Sequence, residues 1–311
     1  MNLTCLVRFV PVFFLILLCS CASEKPVHTQ LPAEASFNET ARRGDPLLIT
    51  LTLESGEPLL FLVDTGSPRT YLSRSLEPKL GKRLGTKTAT WGFYGKRKDG
   101  LYEAPKLYLN NIRLQLGDQI ETDDMGGEYA GTPLSGILGM DCLRHYCIQL
   151  DFAKSRMLFL NPDDLKNRDL GKAFRLETIF GGIFTDADIL DEKQEFFRVD
   201  TGLYGRVDFM LQPYLFQWEM QEKHPFGQAD TNFISSRDKN RSHDFEIGNR
   251  PVTGWARLPQ VQFGGETYTN IFVVKNMAEF TPHENIIGLR FFARNLVTFD
   301  FPHHAMYLKP E

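Results

Sequence analysis

Cysteine is scarce in this 311-residue chain: there are five, and Cys5, Cys19 and Cys21 fall within the first 21 residues, leaving only Cys142 and Cys147. A disulfide-built scaffold is excluded by that count. In an oxidising compartment Cys142 and Cys147 could close one small loop, or both could stay as buried thiols; the sequence leaves both readings open. Histidine is also sparse, with seven scattered residues, and the adjacent pair His303 and His304 would point to opposite faces of a strand. No cysteine–histidine metal site follows from such spacing, and no metal or other cofactor is expected. Dense basic runs are missing and the net charge is −4, which argues against a nucleic-acid partner. The short run Lys96-Arg97-Lys98 reads as a solvated loop tip. The apolar run "FVPVFFLILL" (9–18) is too short for the roughly 20 residues of a membrane-spanning helix.

That run does fit a secretory leader, with Arg8 before it and small residues after it. The segment "LLCSC" (17–21) resembles a bacterial lipobox, in which Leu18, Cys19 and Ser20 lead to Cys21 as the lipidated residue. The resemblance implies a signal peptide over 1–21. It also implies a lipid anchor in a bacterial membrane and a place in the cell envelope, on the periplasmic side or the outer surface. An ordinary signal peptide cut nearby is the other reading. Residues 22–44 are polar and aperiodic, and read as a tether.

With 42% apolar and 24% charged residues, the remainder has ordinary globular composition and length enough for two cores. Short apolar runs broken by Gly, Pro and Asn predict a mainly β fold with short helices. "LLITLTL" alternates, "ESGEP" turns, and "LLFLV" returns as the second strand of a hairpin ending at Asp64. A carboxylate aimed inward from a strand end is costly unless something offsets it.

The chain then repeats itself. "LVDTGS" (62–67) has a counterpart in "RVDTGL" (198–203), and a given triplet falls by chance at roughly one position in several thousand. Downstream, "GILGMDCLRHYCIQLDFAKSRMLFL" (136–160) answers "NIIGLRFFARNLVTFDFPHHAMYL" (285–308). An apolar pair precedes Gly139 in one and Gly288 in the other, and an Asp follows twelve residues on, at Asp151 and Asp300. The second half carries extra residues, read as a polar insertion around "SSRDKNRSHDFEIGNR" (235–250). These duplications predict a first lobe over 45–166 and a second over 167–311.

With both triplets and both apolar-apolar-Gly elements, the chain resembles the aspartic peptidases of the pepsin and retropepsin group over about residues 45–309. The resemblance implies a bilobal pepsin-like fold made of duplicated retropepsin-like closed β-barrel lobes, and an aspartic endopeptidase acting as a monomer on a polypeptide substrate. Asp64 and Asp200 would form the catalytic dyad. Two carboxylates held close cannot both ionise readily, so one keeps a proton while the other serves as base. Gly66 and Gly202 would let the chain turn beneath each Asp. Thr65 and Thr201 would hydrogen-bond across the lobes, and the Ser67 hydroxyl would donate to Asp64. Tyr94 and Gly95, inside "WGFYGKRKDG" (91–100), match the flap that closes over substrate.

Two positions depart from the pattern. Arg198 stands two residues before Asp200, on the same strand face, where the group has an apolar residue. Leu203 replaces the usual hydroxyl or small residue, which would cost Asp200 a donor that Asp64 keeps. Two other readings therefore stay open: a non-catalytic peptide-binding lipoprotein on a degenerate protease fold, and a peptidase that pairs first lobes from two chains.

Overall fold

The computed structural model describes residues 31–311 except 92–94, 111, 126, 190–191, 213–229, 233–245, 248–249, 252–254 and 276–283. The expected leader with Cys21, Tyr94 of the expected flap, and most of the expected polar insertion lie outside the described residues. The fold is mainly β, arranged as two lobes that repeat one motif.

In the first lobe, Leu48–Leu53 and Pro58–Val63 form the hairpin, in register Leu48 with Leu62. Pro58–Val63 then runs parallel to Gly136–Leu138, with Val63 opposite Leu138. The other edge of Gly136–Leu138 pairs antiparallel with Tyr71–Ser73. The second lobe repeats this. Glu192–Val199 runs parallel to Asn285–Ile287, which pairs antiparallel with Phe209–Leu211. A strand buried between two neighbours gains nothing from alternation, which is why "GIL" and "NII" read as unbroken buried runs. In the second lobe Gly182–Ile189 also pairs with Trp255–Phe263, closing a ring of six strands. Its interior is packed with Phe197, Phe209, Phe263 and Phe291, whose rings meet at 4.4–6.0 Å between centroids.

A third sheet joins the lobes. Its order is Ala33–Ser36, Arg156–Leu160, Cys147–Asp151, Asn295–Asp300, Ala305–Pro310 and Lys172–Arg175, three strands from each half. The halves meet where Cys147–Asp151 pairs antiparallel with Asn295–Asp300. Gln149 faces Thr298 in that register, and these two residues hold equivalent places in the repeat, each two before its Asp. The Gln149 amide donates to the Thr298 hydroxyl at 2.9 Å, marking the local two-fold axis.

One expectation needs correction here, and one open choice is decided. The tether does not run to residue 44: Ala33–Ser36 is a strand of the shared sheet, and Glu39–Arg43 forms a short 3₁₀ helix. Cys142 and Cys147 are not bridged. Both are buried free thiols, and Cys147 Sγ lies 3.1 Å from Asp300 Oδ1. Burial raises both thiols well above the usual range, which keeps them protonated.

Candidate active site

Each Asp follows the last residue of its strand and is fixed by the neighbouring apolar strand. Asp64 N–H donates to Leu138 C=O at 3.0 Å, and Asp200 N–H to Ile287 C=O at 3.1 Å. One residue past that strand, Gly139 lies so close to the backbone of Arg69 that a Cβ would overlap it. From there Met140 N–H reaches back to Ser67 C=O, and Leu289 N–H to Leu203 C=O, so the two loops are braced alike.

The loops then lock together. Thr65 N–H donates to Thr201 Oγ1 and Thr201 N–H to Thr65 Oγ1, both at 3.0 Å. Each hydroxyl in turn donates across to the opposite chain, Thr65 to Val199 C=O and Thr201 to Val63 C=O, both at 2.9 Å. Both threonines are buried, so every one of these polar groups needs its partner. The lock leaves each glycine against the opposite carboxyl: a Cβ on Gly66 would overlap Asp200, and one on Gly202 would overlap Asp64.

Asp64 and Asp200 therefore face each other across the interface, close enough for each carboxyl to act on the other. Both are only partly exposed. Burial first, then the negative charge of Asp200, raises Asp64 well above the ordinary carboxylate range. Burial also raises Asp200, but the Arg198 guanidinium opposes it by favouring the anion. Arg198 thus favours Asp200 as the ionised member of the pair and Asp64 as the protonated one.

Two residues behave differently from expectation. The Ser67 hydroxyl does not donate to Asp64; it donates to Arg69 C=O at 2.8 Å. Asp64 Oδ1 is served by backbone instead, from Gly66 N–H at 2.8 Å and Ser67 N–H at 3.0 Å. Because the donors are backbone groups, Leu203 deprives Asp200 of nothing: Leu203 N–H donates to Asp200 Oδ1 at 3.0 Å, and Gly202 N–H adds a second bond. Arg198 is held by Glu284, its Nε and Nη2 donating at 2.9 and 3.3 Å, while Nη1 donates to Gly66 C=O at 3.3 Å. Its guanidinium also lies 5.2 Å from the centre of the Phe184 ring. Glu284 was not singled out in the sequence. Its only cue is position, just before the strand Asn285–Ile287 that pairs with the strand of Arg198.

Gly95 opens the strand Gly95–Glu103, which forms a hairpin with Arg83–Trp91 in register Trp91 with Gly95. The hairpin joins the first-lobe sheet through Gln119–Asp123.

Among solved structures, the crystal structure of the aspartic proteinase from Irpex lacteus resembles the chain at a TM-score of 0.55, over 90% of this chain and 97% of its own. The fold is pepsin-like. At 13% identity this likeness speaks for the fold alone. No protein-family model matches the chain, and no curated protein does.

Proposed function

We propose that this chain is an aspartic endopeptidase of the bacterial cell envelope, in which Asp64 and Asp200 activate water against a peptide bond. The observation that carries the reading is the reciprocal threonine lock, which serves to hold two half-buried carboxyls face to face. Such a pair is electrostatically unfavourable, and carboxyls perturbed in this way cluster at functional sites, which supports a chemical use. A water between the carboxyls loses a proton to Asp200, the member Arg198 keeps ionised, as its oxygen attacks the carbonyl carbon. Asp64 gives its proton to the carbonyl oxygen. When the tetrahedral intermediate collapses, Asp200 passes its proton to the leaving amine and Asp64 recovers its own. The pair ends as it began, without a covalent intermediate.

The substrate would be an extended polypeptide, with the hairpin carrying Tyr94 and Gly95 closing over it to exclude water. Lipidation at Cys21 would anchor the enzyme, working as a monomer, to the membrane. The two-chain reading has no support here, because both loops of the lock come from one chain. The non-catalytic reading rested on Arg198 and Leu203; Glu284 takes up much of the Arg198 charge, and the backbone of Leu203 still serves Asp200.

Cleavage of a mixed peptide library from acid to neutral pH, read by mass spectrometry, tests the proposal. The parent should cleave, and Asp64→Asn and Asp200→Asn should each lose at least about a thousandfold in kcat/KM. A folded parent that cleaves nothing at any pH would return the non-catalytic reading.

A further inference from the structure

On the second lobe, apart from the two carboxyls, a cavity of about 450 Å³ opens between the strand Glu266–Lys275, the helix Leu289–Phe292 and the 3₁₀ helix Glu39–Arg43. That volume is ordinary for a small-ligand site. Its charged lining is Arg42, Arg290 and Arg294 with the acidic Glu311, and Thr267, Thr269 and Asn270 complete the polar wall. Arg206 and Arg257 stand close behind and act on the same charges.

The one buried acid of this cluster is already spent. Asp208 is fully buried and takes Nε and Nη2 of Arg294 at 2.8 and 3.1 Å. Arg294 also donates to Thr269 C=O and Asn270 C=O, both at 2.9 Å, so it is structural. Arg290 has much less: Nη1 donates to Arg206 C=O at 3.1 Å, and Nε lies 3.9 Å from Asp208. Its guanidinium carbon stands over the Phe272 ring, 4.6 Å from its centre, and Nη2 makes no hydrogen bond among the described residues. The Arg42 side chain is exposed and takes no ion pair or hydrogen bond among the described residues. Burial lowers Arg290 from its ordinary value; Asp208 opposes this, and Arg294, Arg206 and Arg257 add to it. Like charges gathered around a half-buried guanidinium are unfavourable unless an anion joins them.

We propose that this cavity binds a doubly charged oxyanion, a phosphate or phosphate monoester, with Arg290 and Arg42 as its ligands and the hydroxyls of Thr267 and Thr269 beside them. Two planar guanidinium groups match the tetrahedral oxygens of phosphate through paired N–H donors. The group could arrive on a soluble phosphate ester or on the headgroup of an anionic lipid. The inference stands independently of the peptidase reading, since it uses none of the same residues.

The test is calorimetric titration of the purified chain with inorganic phosphate, with chloride at matched ionic strength as control. Saturable binding is expected, about tenfold or more weaker in Arg290→Met and in Arg42→Met, and unchanged in Arg83→Met. Arg42 is exposed, so its substitution leaves folding intact even if Arg290→Met does not. Sedimentation with phosphatidate vesicles against phosphatidylcholine vesicles then separates the sources. Arginine-dependent capture on phosphatidate identifies a headgroup site, and phosphate binding without capture identifies a soluble ester. No saturable phosphate binding, or equal binding by the Arg42 and Arg290 variants, overturns the proposal.

Discussion

At the scale of single residues, the energetics of the site are set by which carboxyl holds the proton. Asp64 in the folded chain binds its proton more tightly than it does unfolded. Between the unfolded value of about 4 and the raised folded one, the native state therefore carries the extra proton, and stability falls as pH rises through that window. Asp64→Asn replaces an acid that the fold forces to hold its proton with a neutral group of the same shape. It should stabilise the fold at pH 7 by about 1–3 kcal/mol, read from urea midpoints, and gain nothing below about pH 3. A destabilised Asp64→Asn at pH 7 would mean the pair is not repulsive. Arg198 has the opposite sense. Its cation favours the Asp200 anion, so Arg198→Met should move the acid limb of the kcat/KM profile to higher pH while the chain stays folded. Glu284→Gln frees the guanidinium from its carboxylate and should move the limb the other way; two unshifted profiles would detach Arg198 from the chemistry.

At the scale of elements, the threonine lock is the joint on which the carboxyl geometry depends. Thr65→Val removes a hydroxyl that both accepts from Thr201 N–H and donates to Val199 C=O, leaving two buried backbone groups unpaired. The expected loss is about 2–5 kcal/mol in the urea midpoint, with activity falling alongside; a change under about 0.5 kcal/mol would show that water replaces the hydroxyl without penalty. Elements of this kind were readable beforehand because their cues are local. The Asp-Thr-Gly triplets and the "ILG" and "IIG" runs each carry their signal within a few residues, and their spacing exposed the repeat. What stayed hidden depends on groups far apart in sequence. Arg198 meets Glu284 only through strand pairing, and "AEAS" (33–36) is too short and too small in its side chains to announce a strand. The Ser67 hydroxyl turns to Arg69 C=O because backbone N–H groups already fill the Asp64 oxygen, a choice between near neighbours that residue types do not decide.

At the scale of the molecule, neither half completes a site alone. The shared sheet is joined at one seam, Cys147–Asp151 against Asn295–Asp300, beside an apolar core that runs through both lobes. Thermal unfolding should therefore be a single cooperative transition, and a chain ending at residue 166 should self-associate through its bare Cys147–Asp151 edge rather than persist as a monomer. A monomeric, stably folded first half by ultracentrifugation would contradict this. On the proposed reading, joining the halves makes one acid–base unit of two aspartates, and that claim is open to direct measurement. Carbon-13 labelling of the aspartate carboxyls, with Asp64→Asn and Asp200→Asn to assign the signals, would follow both groups through a pH titration. Two separated steps should appear, Asp200 ionising first and Asp64 holding its proton well above the ordinary carboxylate range, and removing either residue should shift the other. Both carboxyls titrating together near about 3.9, each indifferent to loss of its neighbour, would show that the two aspartates are not a pair.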